Sequence, residues 1–244
     1  MRIALLADIH SNLEALSAVE SKIKKLSPDK VICLGDIVGY GPRPNECIDL
    51  VRANSWQTVC GNHDWAARQD SDVVLFNPYA REAMLWTRAS LNAGQRLYLN
   101  SLDLTYRDDS HICVHASLFE PDKFHYLDSY NLFDRDAALL AESGLQILFV
   151  AHTHIPAVFI HKGDNLYRDY SRTVELSAQY RYIVNAGSVG QPRDRDSRSC
   201  FCLYDTQSHS VEFVRVAYDI DATKEDILSR KLPGLLAERL SSGW

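Results

Sequence analysis

The stretch "RIALLADIHSNLEALSAVESKIKKLSPDKVICLGD", residues 2–36, changes its periodicity twice, and those changes decide the fold class. Residues 2–7 are an apolar run of strand length. Leu13, Leu16, Val19, Ile23 and Leu26 then recur at helical spacing. Ser11 and Glu14 stand three apart, as a capping box requires, and Pro28 ends the helix. A second apolar run occupies 30–36. Working outward, "PNECIDLVRA" (44–53) reads as a second helix with proline in its entry, and "WQTVCGNHD" (56–64) as a third strand running into a polar tip. Strand–helix–strand–helix–strand is the signature of a parallel sheet with crossover helices.

Residues 65–110 break this rhythm. They contain helical patterns near 79–90 and 94–102 and the aromatics Phe76, Tyr79 and Trp86, an expected helical insertion near the sheet's edge that suits a lid. Strands are expected at 111–116, 146–151, 157–161, 181–185, 199–205 and 211–217. A helix begins near 222, is plainest to 230, and with the tail makes a C-terminal helical segment of about 222–240. No repeat or low-complexity linker divides the chain, so 1–244 reads as one domain, a two-sheet α/β sandwich.

Composition narrows the function. A net charge of −6 and a pI near 5.8 argue against an extended nucleic-acid surface. No apolar run is long enough to span a bilayer, and the N-terminal run lacks a small-residue cleavage site. A cytoplasmic protein is the expectation. The six cysteines, at 33, 47, 60, 113, 200 and 202, contain no C-x-x-C pair and read as buried reduced thiols. Cys200 and Cys202 share a strand face, but two thiolates make a poor zinc site.

Five polar clusters close five expected strands: Asp8 and His10, Asp36, then Asn62, His63 and Asp64, then His115, then His152 and His154. Ligands of open α/β sheets bind beyond the carboxyl ends of the strands. Residues two apart project to one side, so each of the pairs Asp8–His10 and His152–His154 can point into one site. Any one such histidine is more often a satisfied core or surface residue than a ligand. Five strands ending independently in metal-ligand types is another matter, and these donors suit Mn, Fe, Co, Ni or Zn. Asp36 lies between its partners, where a carboxylate can bridge two ions.

D-x-H, G-D, G-N-H-D, a later strand-end His and A-H-x-H, in that order, resemble the pattern of the calcineurin-like metallophosphoesterases. The resemblance covers roughly 1–64 and 111–205. "DIHSNLEAL", "LGDIVGYGPRPNECIDLVR" and "NAGSVGQPRD" look most like small prokaryotic members of the phosphodiesterase branch. It implies a four-layer α/β/β/α sandwich of two mixed β-sheets flanked by helices, with two divalent metal ions per chain. By the same resemblance, Asp8, His10 and His154 hold one ion and Asn62, His115 and His152 the other, with Asp36 bridging. His63 would sit by the leaving-group oxygen as acid or phosphate-binding donor, oriented by Asp64.

The residue types match that chemistry. Two cations about 4 Å apart clamp phosphate oxygens and lower the pKa of a bridging water from about 15.7 towards neutrality, giving a hydroxide nucleophile. A histidine titrating near neutrality can protonate the departing alkoxide. The Gly- and Ser-rich "NAGSVGQPRD" (185–194) offers backbone amides and Ser188 to a phosphate, and Arg193 is either an anion clamp or the partner of an adjacent aspartate. Tyr40 either stacks on a substrate base or packs under its own loop. Asn12 and Ser11 read as helix caps. Ser11, Ala151 and Ala186 depart from the glycine, glycine and proline of many relatives without altering a ligand.

These readings converge on a dinuclear-metal hydrolase of a small phosphoester, most simply a phosphodiesterase, with manganese one candidate metal. A nucleoside polyphosphate hydrolase or a serine/threonine protein phosphatase of the same superfamily are the alternatives, as is a non-enzymatic scaffold whose ligand set has decayed. Every expected ligand is present here, which favours catalysis. The 65–110 insertion and the strand-rich second half also offer surface for a homo-oligomer.

Overall fold

The computed structural model describes residues 1–244 except 69–72, 74, 75, 128 and 164. Strands β1 (Arg2–Leu6), β2 (Lys30–Cys33) and β3 (Gln57–Thr58) run parallel, connected by helices α1 (Leu13–Leu26) and α2 (Pro44–Ala53). Alternation along β1 explains its unbroken apolar run. Ala4 and Leu6 share a core with Leu16 and Val19 of α1 and Ile48 of α2. Ile3 and Leu5 face the other way, into a core with Phe149, Val158 and Val184. A strand covered on both faces has no polar side to show.

The first sheet continues from β1 into β11 (Ser199–Asp205), β12 (Ser210–Val216) and β9 (Thr173–Glu175), each antiparallel to its neighbour. The second sheet has the order β4 (Thr105–Arg107), β5 (Ile112–Val114), β6 (Ile147–Val150), β10 (Arg181–Asn185), β7 (Ala157–Lys162), β8 (Asn165–Asp169). Its middle strands β5, β6 and β10 are parallel and the outer pairs antiparallel. Helix α6 (Tyr130–Glu142) covers its outer face, where Phe133 and Leu140 meet Val114, Leu148 and Ile183. The result is two mixed sheets face to face between helical layers, as the resemblance implied.

Several elements differ from the sequence reading. The third strand is only two residues long, and Asn62, His63 and Asp64 form the first turn of helix α3 (Asn62–Arg68) rather than a strand tip. Asp64 accepts the Gly61 N–H at 3.1 Å, and a carboxylate in a first turn favours helix. Helix α1 is capped by Asn12, not Ser11, whose Oδ1 accepts from the Ala15 N–H at 3.1 Å. Helices α4 (Pro78–Ser90) and α5 (Ala93–Asn100) form where expected, but Met84 and Leu99 join the α1–α2 core, so these helices do not stand off as a lid. Residues 105–107 of the same stretch are an edge strand, and 69–72, 74 and 75 lie outside the described residues. The C-terminal segment is two helices, α7 (Ile220–Ser229) and α8 (Gly234–Ser242), with Pro233 capping the second. All six cysteines are free and buried, and burial pushes the Cys200 thiol up to about 12.

Candidate metal centre

The five polar clusters meet beyond the ends of β1, β2, β5 and β6 and at the start of α3. Strand alternation does not aim them. Asp8, His10, Asp36, His152 and His154 all lie past the last strand residue with φ between 47° and 69°. The left-handed region is uncommon for residues with a Cβ, though Asp and His tolerate it better than most, and such strain concentrates at functional sites. Backbone bonds hold the turns in place: Asp8 and His10 donate to Gly35 and Asp36 carbonyls at 3.1 and 3.0 Å.

Three overlapping groups of buried side chains result: Asp8–His10–His154, His10–Asp36–His63 and Asp36–His115–His152. His152 and His154, adjacent but one in sequence, fall in different groups. Asp36 Oδ2 lies 3.7 Å from His10 Nε2 and 3.4 Å from His115 Nε2, between the first and third groups. Its other oxygen, Oδ1, accepts the His63 backbone N–H at 2.8 Å. Gly61 makes room for this, since a Cβ there would sit 2.1 Å from Asp36 Oδ1.

The tautomers are set from behind. Nδ1–H of His10, His115 and His154 donates to the carbonyls of Val38, Leu34 and Gln191 at 3.1, 2.7 and 2.6 Å. With its Nε2 proton removed, each ring therefore presents a bare Nε2 to the centre, the usual preparation of a metal ligand by its outer partners. Asp8 Oδ1, Asn62 Oδ1, His115 Nε2 and His152 Nε2 are buried without a hydrogen-bond partner among the described residues. Nε2 of His10 and His154 face each other at 3.2 Å. Lone pairs so placed are unfavourable for the protein alone, whereas a cation among them satisfies every one. The donor set thus fits divalent ions.

Electrostatics follow the same lines. Burial opposes the Asp36 charge, but His115, His63 and His10 around it hold the carboxyl well below the usual range. Burial and the Asp36 charge raise Asp8 to about 7. Burial, joined by Arg193 and His115, outweighs Asp36 and pushes the His63 imidazole down to about 4.

Residues 1–209 match the family model of the calcineurin-like phosphoesterase superfamily domain. The chain belongs to that superfamily. An uncharacterised protein of Methanocaldococcus jannaschii is 38% identical over 251 residues, spanning 99% of this chain and 98% of the relative. A metallophosphoesterase from Sphaerobacter thermophilus superposes with a TM-score of 0.87 at 36% identity, covering 100% of this chain and 99% of that one. A hypothetical protein of Pyrococcus horikoshii OT3 shares the fold, with a TM-score of 0.81 at 23% identity over 100% and 98% of the two chains. The protein is a metallophosphoesterase, a hydrolase of phosphoester bonds, and no described helix is long and apolar enough to cross a membrane.

Two residues of this metallophosphoesterase lie differently from their sequence expectations, and for a third, one of two open readings is removed. Asp64 does not touch His63: Oδ1 accepts from the Ile37 and Val38 amides at 2.9 and 3.2 Å and Oδ2 from Gly61, tying the loop after Asp36 to α3. Ser188 is fully buried, donating to the Asp8 carbonyl and accepting from the Gln191 N–H, each at 2.9 Å. It braces the Asp8 turn and is out of reach of a substrate. Arg193 is not paired with its neighbours, because Asp194 pairs with Arg215 and Asp196 with Arg198. Its guanidinium donates to Gln191 Oε1 at 2.9 Å and lies 5.9 Å from the Tyr40 ring.

Tyr40 is 7% exposed and packs at 4.6 and 4.5 Å from the rings of His10 and His63. Gly39 crowds His63 from behind, where a Cβ would come within 2.2 Å of Nδ1. The departures from family pattern also acquire reasons. The Ala151 methyl is in the inter-sheet core, at a residue whose φ is not positive, and the Ala186 N–H donates to the Val150 carbonyl at 2.9 Å, a bond proline would remove. Sequence reasoning missed an aromatic wall beside the centre, formed by Trp65, Phe76, Phe124 and Tyr126. Helical spacing of Trp65 from Asn62 was the available signal, hidden while 56–64 read as a strand.

Proposed function

We propose that the protein is a dinuclear-metal phosphodiesterase, with Asp8, His10 and His154 holding one ion, Asn62, His115 and His152 the other, and Asp36 shared between them. The observation that carries this is Asp36 lying between two groups of buried donors, several of whose atoms have no hydrogen-bond partner among the described residues. Two divalent cations, such as manganese, would supply Lewis-acid polarisation of the phosphoryl group and an acidified water. Arg193 contributes a guanidinium unmatched by its aspartate neighbours, suited to an anionic phosphate oxygen. In the hydrolysis, water oxygen bonds to phosphorus, the ester P–O bond breaks, and the departing alkoxide takes a proton.

His63 is the group placed to give that proton or to hold the phosphate. Its pKa near 4 leaves it neutral at pH 7 until an anion arrives. A phosphate beside it shifts that pKa upward, towards the range in which the ring can carry the proton it donates. A cavity of about 710 Å³ opens onto Asn62, His63 and His152, leaving room for the second ester arm that distinguishes a diester.

Metal-stripped protein reconstituted separately with Mn, Ni, Zn and Mg, and offered mono- and diester p-nitrophenyl substrates, tests this reading. Diester hydrolysis with two ions bound is the expected result, lowered by His63→Ala through kcat. Absence of hydrolysis across a broad panel by the two-metal protein sinks the proposal. Full metal content and rate in Asp36→Asn sinks the bridging role alone.

A further inference from the structure

The aromatic wall beside the metal centre has no part in holding metal, and of its four rings only Phe76 packs against the hydrophobic core clusters. Trp65 stands three residues after Asn62 on α3, so the turn that presents Asn62 to the centre also carries the indole on the same side. The ring is 37% exposed and meets Phe124 at a centroid distance of 6.3 Å, edge to face. Phe124 in turn lies 6.1 Å from His115, and Tyr126, 49% exposed, packs tilted against His152 with ring centroids 3.9 Å apart. Phe76 packs 4.7 Å from His63 on the opposite side. Aromatics partly exposed around a polar centre leave apolar area in water that a ligand ring would cover.

We propose that this cavity is a nucleoside subsite: the leaving alcohol of the substrate carries a flat base that stacks among Trp65, Phe124 and Tyr126 while its phosphate lies on the metal centre. The inference rests on the phosphoesterase reading above and names its substrate class. Three features select a nucleoside. The cavity floor is formed by Asn62, His63 and His152, so what enters is attached to the phosphate at the His63 side. Its volume, about 710 Å³, accommodates a sugar and a base rather than a small alcohol alone. Its ionic lining is a self-compensated pair, Asp122 and Lys123 at 3.0 Å, so further phosphates of a polyphosphate chain meet no free cation among the described lining residues. A phosphoserine peptide would leave the aromatic wall uncovered.

The test compares leaving groups of equal acidity that differ only in the base. Adenosine 5′-monophosphate is set against ribose 5-phosphate, and a dinucleoside monophosphate against its abasic analogue, with the manganese-loaded protein. The base should raise kcat/KM about tenfold to hundredfold, the yield of one good stacking contact. Trp65→Leu and Phe124→Leu should collapse that ratio towards one, and Trp65→Phe should keep most of it, which also controls for misfolding. A readout independent of turnover is titration of adenosine into metal-free protein, where saturable quenching of tryptophan emission is expected and should vanish in Trp65→Leu. Equal kcat/KM with and without the base, or no quenching, overturns the subsite while leaving the phosphoesterase reading intact. If none of the four esters is hydrolysed while p-nitrophenyl diesters are, the subsite is overturned and the phosphoesterase reading stands; if the p-nitrophenyl esters also resist, the phosphoesterase reading falls and the quenching titration alone decides the subsite.

Discussion

Strand β5 has a histidine just before it and another just after it, and the two ends of this one strand give them opposite environments. His111 is buried at the amino end, its Nδ1 2.8 Å from Ser110 Oγ and 3.1 Å from Asp108 Oδ1, with the rings of Phe149 and Tyr204 beside it. His115 is equally buried at the carboxyl end, its Nδ1 fixed by a carbonyl and its Nε2 3.4 Å from Asp36 and 3.9 Å from Asp8. Burial lowers the pKa of His111, and Asp108 only partly opposes it. Burial also works against charge on His115, but the Asp36 and Asp8 carboxylates outweigh it and raise the pKa to about 9. A histidine closing an apolar strand thus has no fixed role. Convergence of other elements onto its free nitrogen makes one of them a candidate ligand.

The largest expected contrast is in catalysis. His115→Ala should lower kcat/KM by about a thousandfold or more, as loss of several kcal/mol of metal-derived stabilisation requires. His111→Phe should bind the same amount of metal by elemental analysis. Loss of metal from His111→Phe would erase the distinction between the two ends.

Metal removal comes next. Ions at a hundredfold excess over their dissociation constant stabilise the fold by about 2.7 kcal/mol per site, or about 5–10 °C in Tm. Calorimetry before and after chelation measures this, and an unchanged Tm would contradict a centre built around unsatisfied donors.

A pH effect of similar or smaller size is confined to the metal-free protein. The His115 pKa is raised on folding, so its contribution is complete below about pH 6.5 and is lost as pH climbs through about 9. Unfolding free energies from urea titrations should therefore fall on the alkaline side by on the order of 3 kcal/mol, and this fall should be absent in His115→Phe. At the other end the sign reverses. Folding lowers the His111 pKa, so its contribution is present above about pH 6.5 and is lost as pH falls below it. His111→Phe should flatten that acid limb, the smallest of these effects. Identical acid limbs in the two proteins would show that His111 is not held neutral.

Much of this was legible in the chain because local signals carried it. The apolar run of residues 2–7 and the helical spacing from Leu13 to Leu26 specify their elements without help. Asp8, His10, Asp36, His115, His152 and His154 announce themselves by closing such runs. Elements whose stability is tertiary were harder. Residues 173–175 are an outer strand whose partner β12 is distant in sequence, 165–169 form an edge hairpin with β7 but carry few buried residues, and α6 buries Phe133, Ala137 and Leu140 amid polar neighbours. Asn62–Asp64 read as a strand tip because the bonds that turn the segment into helix come from Asp64 folding back on Gly61 and the loop at Ile37–Val38.

The sequence by itself determined the fold class and the chemical identity of the centre, since strand-end donors in a fixed order need only the sheet's direction to converge. Tertiary structure alone decided which nitrogen each ring presents and that Ser188 and Asp64 brace the centre from within. It also placed Trp65, Phe124 and Tyr126 around one cavity, although 59 residues of chain separate the first two. The physical reason is the same in each case. Period and residue type are local, whereas orphaned donors, tautomers and shared cavities depend on atoms from elements far apart in the chain.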